Sequence, residues 1–556
     1  MKKIGFFAIG FMLATSVTAQ EKKDDFSSFM EEELASFDKF IDDANKDFIN
    51  FLRDPWKEFE AEKPAIKRTK PEPVAPVIYD KKTTPQNEKP TRLTIEEILD
   101  LSTAEGKQKP ITKTNDLDDI NFDKPIIIEK EKGKDTIRIV SKKKIEKQPT
   151  TSPKQNGVTS SKETTINKNQ EITVESTHST RPINPVIDST NKSPLYVGGA
   201  GRSKITYITQ TFYLSDDLKG KCHLKSLKEN DIADAYEMMC NSDYQPLLNE
   251  CKQIASALTL NDWGIFTLLR TIADAFCTSS NESIVMQQFL LNELGYKAKM
   301  ARQVNVDKML LFVAIDCPIY GYPIFKLGGL TYYGVNTNQP CSFYMCEKDA
   351  PKAKNGLQMQ LRQSPTFQGA TVRSTHQASN NGVKVTIDVP KMLIDFYRTY
   401  PQCDYSVYFN ATINNKVSSE LLNTLSSYIK GKSETEAANI LINFVQTGFQ
   451  YATDNEQFGY EKPFFVEELF YYPYCDCEDR SILYSYLIKN LLGLDVVLLD
   501  YPNHIATAVR FNENINGDYV IVNGQKYTVC DPTYIGANIG MTMPTYKNVS
   551  AKVLKY

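Results

Sequence analysis

The sequence predicts an α+β fold for most of the chain. Two stretches with the apolar spacing of helices, residues 434–450 and 479–492, precede four short alternating segments that are typical of antiparallel strands. Asn523-Gly524, between the last two segments, is a preferred pair for a tight hairpin turn. A weaker copy of this order lies upstream, at 281–335. We therefore predict a unit in which a helix packs on an antiparallel sheet, and an internal duplication of that unit.

Composition narrows the classes of function. The 556 residues leave room for two or three domains, and a net charge of −3 argues against a protein that binds nucleic acid through phosphate contacts. Four histidines are too few for a His-rich zinc site, and the eleven cysteines form no CxxC pair. We therefore expect no metal and no organic cofactor. An odd number of cysteines also leaves at least one free thiol.

The N-terminal residues 1–19 have the pattern of a cleaved signal peptide. Lys2 and Lys3 precede an apolar stretch at 4–14, and Val17-Thr18-Ala19 supplies small residues for cleavage. We expect a periplasmic or secreted protein without a transmembrane segment in the mature chain. An uncleaved membrane anchor is the alternative, although the apolar stretch is short for a span.

Residues 20–62 are predicted to be a segment with one amphipathic helix that stops near Pro55. Apolar residues recur every three or four positions from Phe26 to Leu52, and Pro55 is placed to end the helix. The opposite face is acidic, which disfavours an anionic membrane surface. The apolar stripe at 24–54 could pack on its own protein, pair with a second copy or dock a partner, and the first two are favoured.

Residues 63–195 are predicted to be a disordered, low-complexity linker. Lys, Thr, Pro, Asn, Ser and Glu dominate there, and Phe122 is its only phenylalanine. Such a segment buries too little apolar surface to offset the entropy of ordering. The apolar segments at 126–128 and 137–140 could form a lone hairpin.

The remainder divides into three predicted parts: the upstream copy at 196–365, a small β region at 366–415 and the C-terminal unit at 416–556. The upstream helix ends at Gly295 as the later one ends at Gly493. In the β region, 383–387 and 405–409 alternate like strands.

The strands expected in the C-terminal unit are Asp495–Leu499, Ile505–Phe511, Tyr519–Val522 and Lys526–Cys530, and those of the copy are Met309–Ile315, Tyr322–Leu327 and Leu330–Val335.

Cys477 is the candidate nucleophile. It directly precedes a predicted helix, where free amide groups and the helix dipole favour a thiolate. His504 opens the following strand region and Asp531 closes the next hairpin, so a cysteine, a base and an orienting carboxylate occur in workable order. Cys475 lies two residues earlier and could be half of a disulfide or a redox partner. We favour Cys477 because it begins the helix.

These motifs resemble the core of the transglutaminase-like superfamily of papain-type folds. The resemblance rests on Cys477-Glu478-Asp479-Arg480-Ser481, the strand with His504 and Asp531-Pro532-Thr533, and it covers about 432–544. It implies that Cys477 is the nucleophile, His504 the general base and acid, and Asp531 the residue that orients the imidazole. It also implies an upstream polar or aromatic side chain for the oxyanion. The candidates are Gln446, Gln450 and Tyr474.

The upstream copy lacks this set of residues. Ser280 stands at the cysteine position, no histidine lies at the strand start near 307–309, and Asn336 replaces the aspartate. A serine without a base is not an activated nucleophile, so we expect a degenerate copy with a supporting or binding role. His223 and His376 have no comparable neighbours and are expected to be structural or surface residues.

The sequence thus predicts an exported enzyme that transfers acyl groups from amide substrates through a thioester on Cys477. Its substrate would be a protein or peptide, with cell-wall peptides among the options. Water as the acceptor would give a protease or deamidase, and a lysine amine would give a cross-link. The alternative is a non-catalytic interaction protein or scaffold of the cell envelope, built on the same duplicated fold.

Overall fold

The computed structural model describes residues 43–65, 77–79, 128–130, 137–139 and 197–555. Of the described residues, 35% are helical and 25% are in strands, and this mixture of helix and sheet agrees with the predicted α+β class. The chain divides into two compact units, 1–65 with 185–359 and 66–184 with 360–556. Among the described residues, none of the helices has the length and apolar character needed to cross a bilayer. The signal peptide predicted at 1–19 lies outside them.

The first unit contains a hairpin, a layer of helices and a sheet. The helices span 43–53, Glu229–Cys240, Gln245–Ala257, Asp262–Phe276 and Ser280–Glu293. The hairpin strands are Arg202–Tyr207 and Gln210–Ser215. The sheet strands, in spatial order, are Lys57–Glu60, Ser342–Met345, Ala298–Gln303, Met309–Ala314, Leu330–Gly334 and Ile324–Leu327, and all neighbours are antiparallel.

The predicted N-terminal helix stops just before Pro55, as the sequence predicts. It ends at residue 53, and its Phe48 ring contacts Tyr236 of the same unit at 5.4 Å. The described part of the apolar stripe therefore packs on its own protein. After Pro55, Lys57–Glu60 joins the sheet edge, where Phe59 stacks on Phe343.

The second unit repeats the order of hairpin, helices and sheet. Its helices are Lys391–Tyr397, Tyr405–Phe409, Asn415–Ile429, Glu434–Gly448, Asp454–Gln457, Val466–Leu469 and Cys477–Leu487, the last continued by a π-helical turn, Ile488–Leu492, and a 3₁₀ turn follows at Pro544–Tyr546. The hairpin strands are Thr371–Gln377 and Lys384–Pro390. The sheet strands, in spatial order, are Lys552–Leu554, Asp495–Tyr501, His504–Arg510, Gln525–Cys530 and Tyr519–Val522. A short parallel pair joins Gln450–Tyr451 to Tyr474–Cys475.

Local sequence signals account for the element ends. Ser433 and Glu436 form a reciprocal capping box at the start of the Glu434–Gly448 helix. Gly493 adopts a left-handed conformation, φ 66°, where the π-helical turn ends. Asn523 and Gly524 both have positive φ in the two-residue hairpin loop, as the predicted turn requires.

Residues 366–415, predicted to be a small β region, lie in the second unit. The first half of this region forms a hairpin, but Tyr405–Phe409 is a short helix, so the strand prediction there is wrong. The Asp404 side chain accepts the N–H of Ser406 and caps this helix. An alternating pattern over five residues could not distinguish a strand from a helix here, because Tyr405, Val407 and Tyr408 are all buried.

Three short segments of the predicted linker are strands. Val77–Ile78 pairs in parallel with Tyr534–Ile535, and the Tyr79 ring contacts Tyr534 edge to face. The described parts of the predicted hairpin, Ile128–Lys130 and Ile137–Ile139, pair antiparallel. The described part of the predicted linker at 63–195 therefore includes secondary structure, and most of its other residues lie outside those described.

Candidate active site

Cys477 is the first residue of the Cys477–Leu487 helix, which packs on the central strand of the sheet, His504–Arg510. The Ser481 hydroxyl donates to the carbonyl of Ile505 at 3.0 Å and fixes the helix against that strand. The N–H of Ile505 in turn points at the Cys477 sulfur, 3.5 Å away. The helix start and the strand start therefore meet, as the sequence predicts.

His504 and Asp531 are in direct contact. The Nε2 atom of His504 lies 2.9 Å from Oδ2 of Asp531. The other carboxylate oxygen accepts the backbone N–H groups of Thr533 and Tyr534, which hold Asp531 in place. The Nδ1 atom of His504 is buried and has no hydrogen-bond partner among the described residues. This arrangement leaves one ring nitrogen for a proton-transfer partner.

The cysteine is not bonded to the imidazole in this state. Its thiol donates to Oε2 of Glu478 at 3.0 Å. The exposed fractions of Cys477, His504 and Asp531 are 0%, 0% and 2%. The Tyr546 ring stacks on His504 with centroids 4.9 Å apart. The structure thus brings the three predicted residues into one region, with the thiol turned to a carboxylate and the site closed to solvent.

Cys475 occupies a different environment from Cys477. It is buried, its thiol donates to the carbonyl of Gln450 at 3.6 Å, and burial raises its pKa to about 11. All eleven cysteines lie within the described range and carry free thiols. Cys475 is therefore not half of a disulfide here, and the raised pKa makes it a poor nucleophile at neutral pH.

The three oxyanion candidates differ sharply. The side-chain amide of Gln446 donates to the carbonyls of Asp531, Tyr534 and Ala537, and its oxygen accepts the N–H of Gly536. Gln446 therefore supports the Asp531 loop and has no amide proton left for an oxyanion. Gln450 and Tyr474 pair across the short parallel strands, and both are exposed.

Sequence reasoning missed two residues beside Cys477. Arg480 is fully buried, donates to the carbonyls of Gln446 and Phe449, and lies over the Tyr451 ring at 5.2 Å. Burial raises the pKa of the Tyr451 phenol, and the charges of Cys477 and the adjoining carboxylates raise it further. Arg480 is the fourth residue of the helix and gave a weak signal, since a charged residue on a buried face is unusual.

Several carboxylates are buried beside the start of the helix. Asp454, Asp476 and Asp479 have pKa values well above the usual range, because burial disfavours their charged forms and they repel one another and Glu478. The Asp479 carboxylate accepts the N–H groups of Phe464 and Asp476. Nothing in the sequence marked this cluster, because its members are spread over 26 positions, 454 to 479.

Glu467 gives a testable pH dependence outside this cluster. Burial raises its pKa from 4.5 to about 7, partly offset by the N–H of Asn414, which donates to the carboxylate, while nearby Glu468 raises it further and the Tyr397 hydroxyl lowers it. A folded-state pKa above the unfolded value stabilises the fold fully below about pH 4.5, and that contribution is lost as pH rises through 7.

Replacing Glu467 by glutamine should therefore flatten the pH dependence of unfolding. Between pH 5 and 8 the wild-type free energy of unfolding should fall by on the order of 2–3 kcal/mol more than that of Glu467→Gln. Urea denaturation at four pH values measures this difference. Glu513→Gln, an exposed substitution, is the control and should follow the wild type within this pH range. A parallel pH profile for Glu467→Gln and wild type would contradict the assignment.

In the first unit, residues at or beside the corresponding positions form structural contacts. The Asn281 side chain accepts the N–H of Met309, and Asn336 bonds both the carbonyl of Met309 and the N–H of Leu311. His223 is exposed and contacts Glu282. His376 lies in the second unit between Ser374 and the carbonyl of Gly448, stacked on Phe449. His178 lies outside the described residues.

Comparison with known proteins adds no relative. No family model, no curated protein and no solved structure matches the chain.

Proposed function

We propose that the second unit is a cysteine-dependent acyl-transfer domain of the transglutaminase-like type, in an exported protein. The observation that supports it most is the His504–Asp531 contact of 2.9 Å, beside a helix that begins at Cys477. A carboxylate on Nε2 fixes the tautomer that leaves Nδ1 as an acceptor. Nδ1 is the ring atom without a hydrogen-bond partner among the described residues, so it is free to accept a proton as a general base.

The proposed reaction forms and breaks a thioester. His504 takes the thiol proton of Cys477 through Nδ1 while the sulfur attacks the carbonyl carbon of an amide. The imidazolium, stabilised by Asp531, then gives its proton to the departing amine. Water or a second amine attacks the thioester, and its proton passes to His504 as the thiol reforms. Before attack, the thiol must turn from Glu478 toward the imidazole, and the Tyr546 side must admit substrate.

The two sheets support the proposed duplication. In each unit, five strands of the main sheet follow the last long helix, Ser280–Glu293 or Cys477–Leu487. When these five strands are numbered along the chain, their spatial order in the sheet is 5-1-2-4-3 in both units. Every neighbouring pair is antiparallel in both units. The strand Lys57–Glu60 is an addition to the edge of the first sheet.

The elements before the sheets also correspond. Each unit begins with a hairpin, Arg202–Ser215 or Thr371–Pro390, and in each the first hairpin strand packs on the penultimate long helix. That helix, Asp262–Phe276 or Glu434–Gly448, contacts the last one in both units. The last helix, which carries Ser280 or Cys477 at its start, then packs on the second strand. The copy would thus extend over the whole of both units, including the predicted β region.

A non-catalytic role as an interaction or scaffold protein remains the second candidate, and one observation favours it. The site is closed, and the Cys477 thiol donates to Glu478 rather than to His504. A closed pocket of buried polar residues could serve only to stabilise the unit. The two functions differ in one respect that can be measured, the formation of a covalent acyl adduct on Cys477.

Amine incorporation and peptide cleavage test the proposal. The full chain is incubated with dimethylcasein and a fluorescent primary amine, and separately with a peptide library analysed by mass spectrometry. We expect label in casein or new peptide termini, and loss of at least 99% of either activity in Cys477→Ala, because the nucleophile of a covalent mechanism has no substitute.

Cys475→Ala is the matched control, since this thiol is also buried and only two residues away. It should keep activity within about threefold, since it touches the carbonyl of Gln450 and takes no part in the chemistry. Equal activity in the wild type and in folded Cys477→Ala would refute the proposed acyl transfer through Cys477. The absence of activity and of any acyl adduct in the wild type would favour the non-catalytic role.

A further inference from the structure

Two cysteines of the first unit lie side by side near the start of its last long helix, Ser280–Glu293. Cys222 follows the hairpin Arg202–Ser215, and Cys277 directly follows the preceding helix, Asp262–Phe276. The two side chains form a hydrogen bond with each other. Cys222 is buried and Cys277 is partly exposed, so one thiol of the pair can meet a reagent in solution.

Both thiols also contact one turn of the Ser280–Glu293 helix. The Cys222 thiol donates to the carbonyl of Glu282 at 3.4 Å and lies within hydrogen-bonding reach of the N–H of Met286. These two backbone groups are four residues apart and face each other in the helix. The Cys277 sulfur lies 3.8 Å from the sulfur of Met286. The two cysteine sulfurs are therefore gathered against the same residue.

Hydrogen bonds on either side of the cysteines hold their two segments together. Before them, the N–H of Gly220 donates to the carbonyl of Phe276 at 3.2 Å. After them, the buried Glu282 carboxylate accepts the N–H of Leu224 at 3.2 Å and that of Thr278 at 3.1 Å. Each cysteine thus lies between two anchored residues. Such anchoring favours a disulfide, which forms only between cysteines whose backbones are already close.

We propose that Cys222 and Cys277 form a disulfide by exchange with a protein or small-molecule disulfide, which is the oxidant. The Cys277 thiolate attacks one sulfur of this donor and releases the other as a thiol. The Cys222 thiolate then attacks Sγ of Cys277, so that the S–S bond of the protein forms and the second donor sulfur leaves as a thiol. The two donor sulfurs are reduced, and they take up the two protons that the cysteines lose.

The surroundings of the two thiols set the order of attack and the effect of the bond. The hydrogen bond to Cys277 and burial both raise the pKa of the Cys222 thiol, so the more exposed Cys277 reacts first. The bond closes the loop 222–277, which contains three helices, and a cross-link over such a loop stabilises the folded state. Disulfides persist in the oxidising compartments that the proposed export implies, but the inference does not depend on the proposed acyl transfer.

Oxidation of the full chain under native conditions tests the disulfide. The reduced protein is incubated with oxidised glutathione, denatured, alkylated and digested, and its peptides are identified by mass spectrometry. We expect two fewer alkylated thiols than the eleven of the reduced chain, and a cross-linked peptide pair that contains Cys222 and Cys277. Oxidation should also raise the temperature of one thermal unfolding transition by at least about 5 °C, because the bond closes a long loop.

Cys277→Ser should abolish both the cross-link and the thermal shift. Cys222→Ser should do the same. Because the shift is measured between the reduced and oxidised forms of one variant, a lower starting stability of Cys222→Ser does not affect the comparison. Cys317→Ser is the matched control, since Cys317 is a partly exposed cysteine of the same unit, and this variant should keep the cross-link and the shift.

Two results would overturn the proposal. One is folded wild-type protein in which Cys222 stays alkylatable after prolonged exposure to a large excess of oxidised glutathione, whether or not Cys277 carries glutathione. The other is a peptide map in which Cys222 or Cys277 pairs mainly with a different cysteine. Neither readout involves Cys477, so failure of the disulfide and failure of the acyl-transfer assay are distinguishable.

Discussion

Replacing Asp531 by asparagine is expected to lower the rate of acyl transfer by about three to four orders of magnitude with little change in fold. The amide oxygen of the asparagine can still accept the N–H groups of Thr533 and Tyr534, as Oδ1 does now. Its NH₂ group then faces Nε2 of His504 and donates to it. The imidazole must carry its proton on Nδ1, which is the atom that should accept the thiol proton.

Nitrogen NMR of labelled histidine checks the cause as well as the rate. The chain has only four histidines, so the His504 signals can be assigned by difference with His504→Ala. Asp531→Asn should exchange the protonated and unprotonated ring nitrogens of His504. Asp518→Asn is the control, because Asp518 accepts the N–H of Thr542 and has no contact with the imidazole. An unchanged tautomer together with an unchanged rate would disprove the role of Asp531.

Replacing Gln446 by methionine should destabilise the second unit by about 3–5 kcal/mol, although the two side chains are similar in size. Gln446 is buried and bonds four backbone groups in the 531–537 loop, three carbonyls and one N–H. A thioether satisfies none of them, so each is left buried without its partner. Chemical denaturation followed by circular dichroism measures the free energy of unfolding. The unfolding transition of the second unit should be resolved from that of the first.

Gln450→Met provides the matched comparison. Gln450 is exposed, and we expect a change within about 0.5 kcal/mol. If Gln450 instead polarises the substrate carbonyl, this variant should lose catalytic rate while stability stays constant. Equal destabilisation by the two substitutions would show that the hydrogen bonds of Gln446 contribute little to the fold.

The sequence predicted the central elements of each unit because their signals are local. Helical spacing at 434–450, the glycine at 493 and the Asn523-Gly524 turn each depend on neighbouring residues, and the structure has all three within one or two positions. The same reasoning from neighbouring residues gave a wrong prediction at Tyr405–Phe409, because five residues are too few to separate the period of a helix from that of a strand. The informative residue there is Asp404, which caps the helix.

The candidate site was predictable in part. Its three residues stand at element ends, and the order of those elements already brings the start of the Cys477 helix close to the start of the His504 strand. The sequence could not show that Gln446 supports the Asp531 loop rather than an oxyanion, since the bonds span 85 to 91 positions. It also could not show that the thiol donates to Glu478.

The sequence by itself determined the α+β class, the helix that begins at Cys477, and the single histidine able to serve it. Those features follow from residue spacing and from residue counts, and both can be obtained from the sequence alone. Only the tertiary structure decided that His504 meets Asp531, that the two sheets share one strand order, and that carboxylates from Asp454 to Glu478 converge. Contacts between distant residues depend on how helices and strands pack, and no local pattern encodes that packing.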